Sequence, residues 1–498
     1  MSTRILLLLA YVISPLALSA ENEPKPDESK KTKQTTASDP ITREHRITID
    51  NQPIDYRVVT GKLQLKKADD KPTASIFHVS YFKKDVADLS KRPVLFAFNG
   101  GPGSSAVWLH LGMLGPYLVD LPGDGTTPPE PPARLIENPH SILDHADLVF
   151  VDPVSTGYSR IEDAGKPNQF HGVKEDIQSI SDFVRRWITE HDRWDSPKYL
   201  LGESYGGIRV AGVAHHIQSN YGMSLNGVVL LSSLLDFRTL RSGHGDDLPN
   251  LTFLPAFTSV AHYHGRLKGD AKKLVAEARE FAFGPYATAL LKGNTLAADE
   301  REKIAERLAE LTAIDAQTYL DHDLRLSPSV FRSELLNDEN KVLGRFDARV
   351  AWPAKNHNPS YASYDPSYSL AYGAYSTAML TYLSQSLGWK EDSPYEILTR
   401  NVHPWNWGRG NQIVNVTDSL ESALRHNPHL RVLVMRGDTD LATPGDAITY
   451  SINQILGHSE PLIQRISYAD YHGGHMFYFN PPDLKKSRID LIEFISPQ

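Results

Sequence analysis

Lys198-Tyr199-Leu200-Leu201-Gly202-Glu203-Ser204-Tyr205-Gly206-Gly207 sets a Gly-x-Ser-x-Gly pattern after an apolar, strand-like run and before a helical pattern. A serine on a sharp strand-to-helix turn stands exposed on a strained backbone. Gly202 and Gly206 are small enough to let the two elements close on each other. Ser204 is therefore the candidate nucleophile. A serine hydroxyl attacks poorly unless a base takes its proton and an acid orients that base. Both types follow downstream. Gly437-Asp438-Thr439-Asp440 offers two carboxylates and Tyr471-His472-Gly473-Gly474-His475-Met476 offers two imidazoles, each after a strand-like run. The residues by themselves leave Asp438 open beside Asp440, and His472 beside His475. A metal site on the two histidines lacks a carboxylate or third histidine at ligand spacing.

Asn99-Gly100-Gly101-Pro102-Gly103 follows the buried-strand pattern Pro93-Val94-Leu95-Phe96-Ala97-Phe98. Such a turn exposes backbone N–H groups. Together with the N–H of Tyr205, the residue after the nucleophile, they could face a developing oxyanion. A phosphate cradle is the competing use of such a loop, but no Gly-Lys-Ser or Gly-Lys-Thr follows it.

The elements that must position these residues are read from periodicity. His45–Ile49, Ile54–Val59 and Ala74–Phe82 alternate apolar and polar residues, which predicts an antiparallel meander. Pro93–Phe98, Leu148–Val151, Tyr199–Leu201, Gly227–Leu231, Leu430–Met435 and a run near Leu462–Tyr468 read as strands of a sheet. Ile177, Ile180, Val184, Trp187 and Ile188 mark one helix face between two of them. This alternation predicts a mostly parallel, doubly wound sheet, and with the order serine, acid, histidine it is the arrangement of the α/β-hydrolase fold. Helical patterns at Lys272–Phe283 and Asp299–Leu311, then a stretch with Tyr361, Tyr364, Tyr368, Tyr372 and Tyr375, interrupt the rhythm. The organisation expected is a first part of the core at 41–235, an inserted, mainly helical cap at 236–403, and the rest of the core at 404–498.

A net charge of -8 in 498 residues, with no basic patch, argues against nucleic-acid or anionic-membrane partners. The absence of cysteine excludes disulfides and thiolate chemistry. Residues 1–20 join Arg4 to the apolar run Ile5–Ile13 and end Ala17-Leu18-Ser19-Ala20, the pattern of a signal peptide whose removal leaves no stable membrane anchor. Residues 21–40 are polar and are expected to be a disordered leader. An exported chain of this size without disulfides fits a bacterial periplasmic or secreted location.

Asn99-Gly100-Gly101-Pro102-Gly103-Ser104-Ser105, Gly202-Glu203-Ser204-Tyr205-Gly206, Gly437-Asp438-Thr439-Asp440 and Gly474-His475-Met476 resemble four blocks of the serine carboxypeptidase family, and Val151–Ser159 resembles a fifth. The resemblance implies Ser204, Asp440 and His475 as the catalytic triad, and Gly101 and Tyr205 as the oxyanion hole. It further implies Asn99, Gly100 and Glu203 as the holders of a peptide's C-terminal carboxylate, with Met476 lining the pocket of the departing residue. The chain departs from the family at Ala97, where a tryptophan is usual, and at Ser104, where a cysteine is usual. A glutamate next to the nucleophile can bind a carboxylate only when protonated, because only then does it donate a hydrogen bond. The expected activity is therefore a cofactor-free serine-type carboxypeptidase acting on peptide substrates, favoured in acid. An esterase or acyltransferase on the same scaffold and a non-catalytic binding protein are the alternatives.

Overall fold

The computed structural model describes residues 39–241, 245–354, 364–408, 413–456 and 459–496. The expected signal peptide, nearly all of the leader, and Tyr361 lie outside the described residues. Ten strands form one sheet: β1 (Ile41–Ile49), β2 (Gln52–Lys66), β3 (Pro72–Lys83), β4 (Val94–Phe98), β5 (Asp147–Val151), β6 (Arg160–Ile161), β7 (Lys198–Glu203), β8 (Gly227–Leu231), β9 (Arg431–Gly437) and β10 (Ile466–Tyr471). Their order is β1-β2-β3-β5-β4-β7-β8-β9-β10, with β6 beside β3. The first three strands pair antiparallel as the alternating sequence predicts, and the pairs from β5 to β10 are parallel. The last strand is a correction: it begins at Ile466, because Pro461 starts a helical turn over Glu460–Ile463 that removes Leu462 from the sheet.

Every residue of β4, β5, β7 and β8 is buried, as expected for strands covered on both faces. Side chains alternate between two cores: Leu95 and Ala97 of β4 join one apolar cluster, whereas Val94, Phe96 and Phe98 join the other. Helices α1 (Val173–Glu190) and α2 (Tyr205–Tyr221) cover the second face. The first face is covered by α8 (Pro481–Ile495) and by the Tyr-rich α6 (Pro366–Thr381), whose Leu370, Tyr375 and Met379 share a cluster with Ala97 and Trp108. A third cluster gathers α3 (Leu248–Tyr263), α4 (Ala271–Phe281) and α5 (Ala298–Thr312). The remaining labelled helix, α7 (Gly445–Leu456), follows β9 and packs on the second face.

Register decides where chemistry gathers. Phe98 pairs with Gly202, Glu203 with Leu231, Leu231 with Met435, and Met435 with Ala469. The loops leaving β4, β7, β8, β9 and β10 therefore emerge at one carboxyl edge, where open α/β sheets hold their ligands. Beneath that edge, buried Asp147 accepts hydrogen bonds from Arg92 and Arg193, with the Arg92 Nε bond at 2.8 Å.

Candidate active site

Ser204 leaves β7 and caps α2 with φ 61° and ψ -127°, a backbone state that a non-glycine residue occupies only when its surroundings hold it there. Those surroundings are backbone. A Cβ on Gly202 would stand 2.2 Å from the Gly206 carbonyl oxygen, and one on Gly206 would stand 2.6 Å from that of Phe98. The Ser204 N–H donates to the Leu231 carbonyl at 3.1 Å, tying the elbow to β8.

His475 is buried, and its Nδ1 lies 2.8 Å from Asp440 Oδ2. The other oxygen of Asp440 accepts the N–H groups of Ala442 at 2.7 Å and Thr443 at 2.9 Å, so the carboxylate is held by the start of its own loop. The Thr443 hydroxyl sits 2.9 Å from His475 Nδ1 and donates to the Ser232 carbonyl at 2.6 Å. This engagement on Nδ1 leaves Nε2 as the free nitrogen of the imidazole. Burial resists charging His475, but the charge and hydrogen bond of Asp440 and the charge of Glu203 outweigh it and raise its pKa. Of the alternatives left open by the sequence, Asp438 lies apart: its Oδ2 is 3.7 Å from exposed His472.

The Gly-rich turn presses on this elbow. A Cβ on Gly100 would meet the Tyr205 nitrogen at 2.5 Å and the Glu203 carbonyl oxygen at 2.7 Å, while Gly101 at φ +105° occupies backbone space that favours glycine. Tyr205 is the first residue of α2, where an N–H has no intrahelical acceptor. Gly101 and Tyr205 thus belong to two backbone segments in direct contact. The side chain of Tyr205 points the other way, into the second core against Trp405.

Glu203 is buried beside the serine, and its Oε2 accepts the Tyr478 hydroxyl at 2.8 Å. Burial pushes its pKa up to about 7, against the lowering effects of His475 and of the Tyr478 and Asn99 side chains. Asn99 is buried too. Its Oδ1 accepts the Leu109 N–H at 3.2 Å, which turns Nδ2 toward Glu203 without closing a hydrogen bond. A buried donor without a partner beside a carboxyl of raised pKa leaves hydrogen-bonding capacity unused at this point. Met476 is buried in the cluster that contains Ala97, Trp108 and Tyr478.

Three contributors had no signature in sequence. Thr443 joins Asp440, His475 and Ser232. Tyr478, three residues beyond His475, reaches back to Glu203. The third is the segment Arg345–Arg349, which clasps both loops of the acid–histidine pair. Arg345 accepts from Leu441 N–H at 3.1 Å, Phe346 accepts from His475 N–H at 2.5 Å, and Asp347 Oδ1 accepts from the Thr439 hydroxyl at 3.0 Å. The Phe346 ring lies 5.2 Å from the imidazole. A clasp between residues 90 to 130 positions apart leaves no local pattern in sequence.

The profile of one family, serine carboxypeptidase, matches residues 50–471, and the chain belongs to that family. Among its relatives, serine carboxypeptidase-like 9 of Arabidopsis thaliana is 26% identical over 187 residues, which is 36% of this chain and 40% of that protein. Pheromone-processing carboxypeptidase kex1 of Aspergillus niger is 26% identical over 265 residues, 52% of this chain and 40% of that protein. The chain thus spans about two fifths of the length of these curated relatives. In fold it is similar to the crystal structure of a prohormone-processing carboxypeptidase, Kex1, from Saccharomyces cerevisiae, with a TM-score of 0.56, 17% identity, and coverage of 88% of this chain and 91% of that one.

Proposed function

We propose that this protein is a serine-type carboxypeptidase that removes the C-terminal residue of peptides. The observation that carries this reading is Glu203: a buried carboxyl with its pKa near 7, adjacent to Ser204 and facing the unpaired Asn99 amide. Protonated Glu203 and Asn99, with Gly100 admitting close approach, bind the free carboxylate of the substrate. That grip sets the last peptide bond over Ser204. His475 takes the proton of the Ser204 hydroxyl as it attacks the carbonyl carbon, Asp440 stabilises the imidazolium, and the Gly101 and Tyr205 N–H groups receive the oxyanion. The proton then passes to the leaving amine, the C-terminal amino acid departs, and water repeats the sequence on the acyl-enzyme. Met476 lines the space for the departing side chain.

The segment 236–403 serves as the insertion, with α3, α4 and α5 as its part over the cleft and α6 packed on the sheet, and residues 1–20 direct export to a periplasmic or extracellular location. Among the described residues no helix is long and apolar enough to cross a membrane. The test compares an N-blocked dipeptide, its C-terminal amide and a matched simple ester from pH 4 to 8. The reading expects the free acid to be hydrolysed and the amide to be spared; preference for the ester or amide refutes it. Labelling by an active-site serine phosphonate, lost in Ser204→Ala, separates an enzyme from a binding protein.

A further inference from the structure

Arg345 is exposed, and its guanidinium carbon lies 5.2 Å from the centre of the Phe346 ring, which in turn lies 5.2 Å from the His475 imidazole. One aromatic ring therefore separates a cation from the general base of the proposed reaction. The backbone holds it there: Arg345 N–H donates to Asp365 Oδ1 at 2.9 Å, and its carbonyl accepts from Leu441 N–H. Arg349, on the same segment, has a carboxylate partner in Asp347 at 2.6 Å, and Arg436 and Arg279 are paired with Asp470 and Asp446. The guanidinium of Arg345 has no ion pair or hydrogen bond among the described residues. Asp365, which accepts the Arg345 N–H, is already engaged by the N–H and hydroxyl of Ser367, at 3.1 and 2.6 Å.

A lone cation here carries a cost, since His475 must become positively charged as Ser204 attacks, and the charge of Arg345 opposes that. An anion arriving with the substrate would cancel the cost and gain a partner. On the reading proposed above, the C-terminal carboxylate is already committed to Asn99 and Glu203, and the departing side chain to Met476. The anion left to meet Arg345 is on the acyl side. We propose that Arg345 is a specificity residue that favours peptides with aspartate or glutamate at the penultimate position.

The experiment measures kcat/KM at pH 6 for N-blocked Glu-Phe and Gln-Phe, and for Gln-Glu and Gln-Gln, with the wild type, Arg345→Gln and Arg345→Lys. A charge pair with an exposed arginine gives a preference of about fivefold for Glu-Phe over Gln-Phe. The preference falls to about one in Arg345→Gln and persists in part in Arg345→Lys, a pattern that loss of packing would not produce. At pH 4 it shrinks in the wild type, because a glutamate side chain titrates near ~4.3. A wild-type ratio near one, or a ratio unchanged in Arg345→Gln, overturns the inference. So does a preference for Gln-Glu over Gln-Gln that disappears in Arg345→Gln, since it would place the contact on the departing residue. Hydrolysis of Gln-Phe separately tests the underlying reading: without it both fall, and with it only the role of Arg345 is in question.

Discussion

Glu203→Gln removes a titrating group from the proposed carboxylate site while leaving a hydrogen-bond donor of nearly the same shape. In the wild type, burial holds the Glu203 pKa at about 7. About nine tenths of the molecules then carry a neutral Glu203 at pH 6 and about one tenth at pH 8, so the fraction able to receive a substrate carboxylate falls about tenfold between them. The glutamine variant cannot ionise, and its activity relative to wild type rises about tenfold over the same interval. Stability gives a second readout. Glu203 has a folded pKa above its ordinary 4.5, so its contribution is fully present below that value and is lost as pH rises through about 7. Charging it in place costs about 3 kcal/mol, and Glu203→Gln gains on the wild type by about this amount between pH 4 and pH 8 or above in urea unfolding. An alkaline decline in Glu203→Gln that runs parallel to wild type refutes the assignment of Glu203 as a neutral carboxylate reader.

Asp440→Asn keeps the acceptor for Ala442 and Thr443 but removes the charge facing His475. It is expected to lower kcat by about 10³- to 10⁴-fold with little change in KM, and to lower the His475 pKa read by NMR. Gly100→Ala places a methyl group 2.5 Å from the Tyr205 nitrogen, so activity on peptides and esters alike is expected to be lost while circular dichroism shows a folded protein. Asp147→Ala strips buried Arg92 and Arg193 of a shared carboxylate and is expected to destabilise the fold by about 3–5 kcal/mol in urea unfolding, with kcat/KM of the folded fraction retained.

Much of the sheet was legible because buried parallel strands are continuous apolar runs and the antiparallel strands alternate. Val94–Phe98, Asp147–Val151 and Gly227–Leu231 fall where such runs are read. The start of β10 was misread because Leu462 and Ile463 are apolar but follow a proline that opens a helical turn. In the aromatic stretch, apolar residues recur around the whole of α6, exposed Tyr372 and Leu380 among them, so sequence could not say which residues join the sheet's core; Leu370, Tyr375 and Met379 do. Ser204, Asp440 and His475 were legible as polar residues following strand patterns. Choosing Asp440 over Asp438 required the family resemblance, and in the structure the distinction is one of direction, with Asp440 turned inward to His475 and Asp438 turned toward exposed His472. Thr443, Tyr478 and Phe346 act through contacts that no local pattern encodes.

The most direct test of the account is mass spectrometry of a mixed peptide library, half with free C-termini and half amidated, after incubation with the wild type and Ser204→Ala. The account predicts loss of single C-terminal residues from the free acids, sparing of the amides, and no cleavage by Ser204→Ala. Internal or N-terminal cleavage, or equal processing of the amides, would contradict it.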